Sequence, residues 1–481
     1  MTVKNAKIQY NGAGDEAGEL AAVGYGGALY FESKGDLHLE DCSIIGNECY
    51  ECDGGEAKGG AICVLGPLVI TNTPNIYLKG SVSIPSDGAL KNDICLQKRN
   101  SWEYPALTIE GKLTGSGKIA RLTPTSVDYD VNRVVLKLAD GVTDTSLANE
   151  AYKFDVTPQG SQAWTVGSDG KLCKVTLVTS TNISSLSFSN STNYVLRADS
   201  SLSVDDNYGN LMSKLNELTS PGEIVLDLSN AGDIFSGVSY SVDISKNISV
   251  VVMPWNATKF SPRCFKSGSF STSMKLKEII VPGGSNDYFC SEDGVLYDKN
   301  KTKILRYPPA KTDTTFTLPS TVTTLEEGVF YGCTYITRVT NLSQIKTTSG
   351  YLNEFFYCTG LTTADLRGFT YNILTTNFFS GCTSLRTVYL SSKITKLGMA
   401  CFSNCRALQE IHFASSTPPE IRSDSFQSCP PSMSSTLKFY VPDGSKDAYS
   451  NATEPSSGTY HGFASSYNPW ASSLSDMIEE E

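Results

Sequence analysis

The sequence predicts a mainly β repeat protein in two parts: an N-terminal right-handed parallel β-helix, then a solenoid whose coils pair a strand with a short helical turn. Three observations carry this expectation. In the second part Cys333, Cys358, Cys382, Cys405 and Cys429 recur at intervals of 25, 24, 23 and 24 residues. The first 175 residues read instead as many short alternating strands broken by glycine and asparagine. The 481-residue chain is 40% hydrophobic and only 19% charged, with 24 tyrosines, so it can build cores and leans towards β structure.

Taken in order, residues 1–175 hold two related fragments, "GYGGALYF" from Gly24 and "AKGGAICV" from Ala57. Gly27 and Gly60 stand 33 residues apart. Between them Leu37–Leu39 and Cys42–Ile45 read as short strands, and "PLVITNTPNIYLKGSVSI" and "PALTIEGKL" supply more. Even spacing without helical periods suits a β-sandwich or a parallel β-helix, and the repeated Gly-Gly-Ala favours the β-helix. These copies resemble the GGA-[ILV] repeat of polymorphic outer membrane proteins, a surface family; the glycines also read simply as tight bends at coil corners. "FDVTPQGSQAWTVGSDGKL" reads as a closing strand pair. The Ser/Thr/Asn-rich stretch 176–194 is the expected linker, and Leu211–Leu218 a candidate helix leading into the second domain, 195–470.

The second domain is defined by its repeat. Three residues before each cysteine stands Phe330, Phe355, Phe379, Phe402 or Phe426, and three after the first four stands Ile336, Leu361, Leu385 or Leu408. Six after come Val339, Ala364, Val388 and Ile411; eight after come Leu366, Leu390 and Phe413; eight before, in four coils, stand Leu325, Leu374, Leu397 and Ile421. The tails "LRTVYL" and "LQEIHF" alternate with period two and read as strands. The head "LGMACFSNC" has helical spacing and reads as a short helix or turn. Stacked coils would pair these strands in parallel, roughly 4.8 Å apart. The cysteines should point inwards as small hydrophobes, because "SFSTSMKLKEIIVP" keeps Phe270, Leu276, Ile279 and Val281 but has Ser273 at the cysteine place. "NISVVVMP" adds Ile248, Val251 and Met253, so repeats run from about 225 to 441.

This pattern, fullest in "LPSTVTTLEEGVFYGC", resembles the BspA-type leucine-rich repeat. The resemblance implies an α/β leucine-rich repeat solenoid. It also implies that "YFCSEDGVLYDKNKTKILRYPP", 288–309, is an inserted hairpin and that "LKFYVPDGSKDAYSNA" closes the open end. Gly350 and Ser432 depart from the pattern, so their coils should be irregular. Residues 471–481 read as an acidic tail.

Chemistry is sparse. The net charge of −11 and the lack of a basic patch argue against nucleic acid. No run of about 18 apolar residues is present, so no transmembrane segment is expected. None of the three histidines, His38, His412 and His461, lies in a catalytic motif. Cys42, Cys49, Cys52 and Cys63 cluster, but their spacing fits no zinc pattern; a zinc site, a loop disulfide and free thiols stay open. Asp53 and Glu56 share the loop "CDGGEAKGG", which more simply turns. Sequons such as Asn247-Ile-Ser arise by chance in so Asn/Ser/Thr-rich a chain. No catalytic residue, cofactor or metal is expected.

Solenoids offer long surfaces for large ligands. The BspA-type resemblance implies a bacterial cell-surface or secreted protein that adheres to extracellular host proteins or other cells. The opening "MTVKNAKIQYNGAGDEAGEL" lacks a secretory signal, so a truncated or misassigned start is expected. Tyr389, Arg386 and His412, on the strand side, are the candidate contact residues, and a monomer is expected. One alternative is a polysaccharide-binding or polysaccharide-degrading β-helix, which would need a strip of paired carboxylates. Another is a structural surface-layer or stalk module.

Overall fold

The computed structural model describes residues 106–114, 119–124, 129–143, 147–151, 153–202, 206–231, 244–254, 256–258, 274–281, 285–348, 353–422, 424–429, 437–453, 460–464 and 474–481, with the backbone of ten short strands between residues 2 and 97. The protein is mostly β, and the chain divides into two compact units. One comprises Met1–Val178, Asn193–Arg197 and Pro282–Gly284; the other Thr179–Thr192, Ala198–Val281 and Ser285–Glu481.

Besides two short parallel pairs, Lys7–Gln9 with Ser43–Ile45 and Gly12–Ala13 with Glu48–Cys49, the first unit holds two long parallel ladders. One runs through Thr2–Lys4, Leu37–Glu40, Ile76–Ser81, Leu107–Thr114 and Leu136–Leu138. The other runs through Leu29–Phe31, Ile62–Leu65, Ile94–Gln97, Ala120–Pro124 and Phe154–Val156. Leu29 pairs with Ile62, the same 33-residue step that separates Gly27 from Gly60. Leu39, Ile94, Leu96, Leu107, Ile109, Leu122, Leu136 and Phe154 form a common core. From Phe154–Val156 onward the pairing turns antiparallel, to Trp164–Val166 and then Leu172–Val178. Short returns of seven residues (157–163) and five (167–171) there replace the long crossover that parallel strands need.

The second unit carries the helix Asp206–Asn216, whose Leu211, Met212 and Leu215 are buried. Beside it Asn247 is buried, its Nδ2 donating to the carbonyls of Leu215 and Leu218, so this sequon asparagine is a structural residue. Strands Ile224–Asp227, Val250–Val252 and Glu278–Ile280 then pair in parallel. Ile248, Val251, Met253, Leu276, Ile279 and Val281 are buried, as the weaker copies of the repeat imply; Phe270 and Ser273 lie outside the described residues. Phe289–Glu292 and Val295–Asp298 form an antiparallel hairpin. Its turn residues, Asp293 (φ 49°) and Gly294 (φ 75°), both adopt positive φ, as a tight two-residue hairpin turn requires.

The main solenoid sheet is parallel throughout: Thr315–Thr317, Arg338–Thr340, Thr363–Leu366, Thr387–Leu390, Glu410–Phe413, Lys438–Val441 and Ile478–Glu480. Four of these strands alternate half-buried and buried residues, so one face enters the core and the other meets solvent. Inside, Phe330, Phe355, Phe379, Phe402 and Phe426 stack as a ladder with ring centroids 4.8–5.6 Å apart.

Of helix or turn, the repeat head adopts a turn. Leu374, Leu397 and Ile421 end two-residue strands that pair in parallel, and turns follow. The residue before each cysteine is left-handed: Gly332, Tyr357, Gly381, Asn404 and Ser428 have φ between 56° and 78°. A left-handed residue ends any helical run. Helical spacing therefore reports only which side chains face inwards. Backbone hydrogen bonds run within each turn, as from Cys382 N to Phe379 O, and between coils, from Phe355 N to Phe378 O and from Phe379 N to Cys401 O.

Residues 474–481 fold onto the solenoid. Leu474, Met477 and Ile478 join its core, and Ile478–Glu480 adds a further strand beyond Lys438–Val441 and the helix Lys446–Asn451. Gly350 and Ser432 lie outside the described residues.

Candidate binding face of the solenoid

Register places the seventh residues after Cys358, Cys382 and Cys405 side by side and extends the row to Tyr440 and Glu479. Asp365 pairs with Tyr389, Tyr389 with His412, His412 with Tyr440, and Tyr440 with Glu479. These residues occupy the outward positions of their strands. The Tyr389 and His412 rings stack at 4.4 Å and 23°, and the His412 and Tyr440 rings at 4.4 Å and 9°. The Arg367 guanidinium lies over the other face of the row's end, 5.0 Å from the Tyr389 ring. Arg367 also grips Asp365 through Nε (3.0 Å) and Nη2 (2.7 Å). That bidentate pair holds the Asp365 carboxyl below the usual carboxylate range. His412 Nδ1 lies 2.8 Å from Glu481 Oε1, so Glu481 anchors the middle ring. A second outward row carries Arg338, Thr363, Thr387, Glu410 and Lys438 in register.

The structure thus brings together Tyr389 and His412 and does not place Arg386 with them. Arg386 is exposed and precedes the strand; Arg367, two residues after Asp365, packs on Tyr389 instead. Sequence reasoning also missed Tyr440 and Asp365. The signal was present, since both occupy the same strand position as Tyr389 and His412. Arg367 and Glu481 carried no periodic signal. His461 is pinned by two 2.8 Å backbone hydrogen bonds with Ile421. His38 lies in a strand paired with Tyr77, and its side chain is outside the described residues. So are the side chains of Cys42, Cys49, Cys52, Cys63, Asp53 and Glu56.

Along this sheet the junction between Arg338–Thr340 and Thr363–Leu366 is the loosest. It has a single register pair, Arg338 with Thr363, where the next junction has four. Asn341, left-handed at φ 62°, ends the first strand and starts the 3-10 turn Leu342–Gln344. The sheet opens there into a cleft of about 510 Å³. Arg338, Thr340, Asn341 and Ser343 line one side, and Thr363, Asp365, Arg367 and Tyr389 the other.

The cysteine ladder lies away from this face. Cys333, Cys358, Cys382, Cys405 and Cys429 are all buried and unbridged. The Sγ of Cys358, Cys382, Cys405 and Cys429 each reaches the carbonyl of the preceding coil's phenylalanine, at 2.8–3.1 Å. Burial pushes every one of these thiols up, Cys429 to about 12 and the others in the same direction. Thiolate is the reactive form, so these cysteines should resist a thiol reagent in the native protein and react fully in denaturant. Peptide-resolved mass spectrometry after native labelling checks this; a labelled Cys382 would contradict the inert, structural reading.

Residues 311–432 match the BspA type leucine rich repeat region in six copies. No curated protein matches the chain. Among solved structures, a leucine rich cell surface protein from Faecalibacterium prausnitzii is 16% identical, with 80% of this chain and 89% of that one covered and a TM-score of 0.36. The pneumococcal vaccine antigen PcpA is 16% identical, with 87% and 92% covered and a TM-score of 0.31. A leucine-rich repeat protein from Eubacterium ventriosum is 16% identical, with 74% and 82% covered and a TM-score of 0.29.

Proposed function

We propose that this chain is a non-catalytic surface or secreted binding protein that adheres to extracellular host proteins or other cells through the strand face of its solenoid. The observation that carries the reading is the outward row Asp365–Tyr389–His412–Tyr440–Glu479. Parallel pairing holds these side chains in one line before any partner arrives. A pre-organised row loses little side-chain entropy on binding, and tyrosine and arginine are the residues that most often dominate interfaces. The BspA-type repeats support a location at the bacterial surface. The parallel ladders of the first unit support a β-helix over residues 1–175.

The test uses the full chain on immobilised fibronectin, fibrinogen, laminin and collagen, beside Tyr389→Ala and Tyr440→Ala. Each substitution should weaken binding at least tenfold, about 1.4 kcal/mol, while the circular-dichroism melt stays within a few degrees. Unchanged affinity in both variants would remove the aromatic row from the binding surface.

A further inference from the structure

We infer that the cleft between Arg338–Thr340 and Thr363–Leu366 is a subsite for an acidic saccharide, a sugar bearing a carboxylate or a sulfate. The inference rests on the reading of the strand face as the binding surface and names the ligand chemistry of one part of it.

Charge points first to an anion. The chain is acidic overall, at −11, yet the cleft holds two guanidiniums, Arg338 and Arg367, against one carboxylate, Asp365. Asp365 is already committed to Arg367 by two hydrogen bonds. Arg338 is exposed; its guanidinium has no salt bridge or side-chain hydrogen bond among the described residues, and its charge adds to that of Arg367 in holding the Asp365 carboxyl low. Its five N–H donors, in a planar fork, suit one carboxylate or sulfate group.

The rest of the lining points to a polyol. Ser343 and Thr363 present hydroxyls with no side-chain hydrogen bond among the described residues; beside them the Thr340 hydroxyl, which donates to Thr317 Oγ1 at 2.8 Å, keeps a lone pair. The Asp365–Arg367 pair keeps free lone pairs and N–H groups that sugar hydroxyls can use. The only aromatic lining residue, Tyr389, has one face on His412 and the other under Arg367. It therefore offers its edge and hydroxyl, so recognition here is polar. An apolar ligand would strand these groups without partners.

Size and rigidity fit as well. About 510 Å³ lies within the roughly 300–1,000 Å³ of small-molecule sites, room for one or two sugar rings. The lips are fixed close together by Gly368, where any Cβ would fall 1.4 Å from the Ser343 carbonyl oxygen. The opening is thus a built feature of the coil junction. An acidic peptide would meet the same guanidinium, but the clustered hydroxyls, with Val339 and Leu342 the only aliphatic lining residues, favour sugar.

The test places the full chain and Arg338→Ala on an array of sialylated, glucuronate-terminated and sulfated oligosaccharides, each group separate, beside neutral lactose and cellobiose. The same preparations are run on the immobilised matrix proteins. The expected result is binding to a carboxylated or a sulfated group and not to the neutral sugars, weakened at least tenfold in Arg338→Ala and by added salt. Matrix-protein binding without any saccharide binding would overturn the subsite and leave the strand-face reading standing. Saccharide binding unaffected by Arg338→Ala would also overturn it. Binding to neither class would remove both.

Discussion

Replacing Phe379 with alanine should destabilise the solenoid by about 3–5 kcal/mol, the range for deleting a buried phenylalanine. Phe379 has no exposed surface. It is held above and below by Phe355 at 5.4 Å and Phe402 at 5.6 Å, and edge-on by Phe378 at 4.7 Å. The cavity would sit at the centre of the stack, where neighbours on both sides are fixed by backbone bonds between coils and cannot close it. Repeat arrays gain stability from nearest-neighbour interfaces, and this substitution weakens two of them at once. Urea unfolding followed by circular dichroism measures the effect. A loss under about 1 kcal/mol would mean that the coils are held by their backbone ladders and not by the rings.

Glu278→Gln should abolish a pH dependence of about 3 kcal/mol. Glu278 is nearly buried on its strand, with Gly294 so close that a Cβ there would lie 3.0 Å from the Glu278 Cγ. Burial raises its carboxyl from an ordinary 4.5 to about 7; Lys277 and Lys311 limit the rise. Between those values the folded chain holds a proton that the unfolded chain has released. Its stabilising contribution is therefore intact below about pH 4.5 and is lost as pH rises to and through about 7. At 1.36 kcal/mol per pH unit the loss is about 3 kcal/mol. Glutamine does not titrate, so wild type and variant should differ little at pH 4, with the variant the more stable at pH 8. Melting temperatures of both from pH 4 to 8 test this; parallel curves would show that Glu278 ionises normally in the fold.

Much of the solenoid was legible because its repeat fixes the inward positions by period alone. Phe330, Phe355, Phe379 and Phe402, with Leu385 and Leu408, are buried where the spacing puts them. Of the two readings of the head, short helix or turn, the structure takes the turn for a local reason. Inward facing at helical spacing is also what a chain of tight turns produces, and the left-handed Tyr357, Asn404 and Ser428 carry no distinctive glycine. The candidate face was half legible. Tyr389 and His412 shared a strand position that could be counted, whereas Arg386 was chosen for nearness in sequence, which says little where the neighbours are a coil away.

The sequence by itself determined the periodicity, the inward cysteines and phenylalanines, and the outward strand positions, because side-chain direction in a repeated coil follows from local spacing. Only the tertiary structure decided what those outward positions meet. Stacking brings residues about 24 apart within 4.4 Å, lays Arg367 on Tyr389, returns Glu481 to His412 across 69 residues, and opens the sheet at Arg338. These contacts depend on register between coils, and register is a property of the folded stack that no single coil encodes.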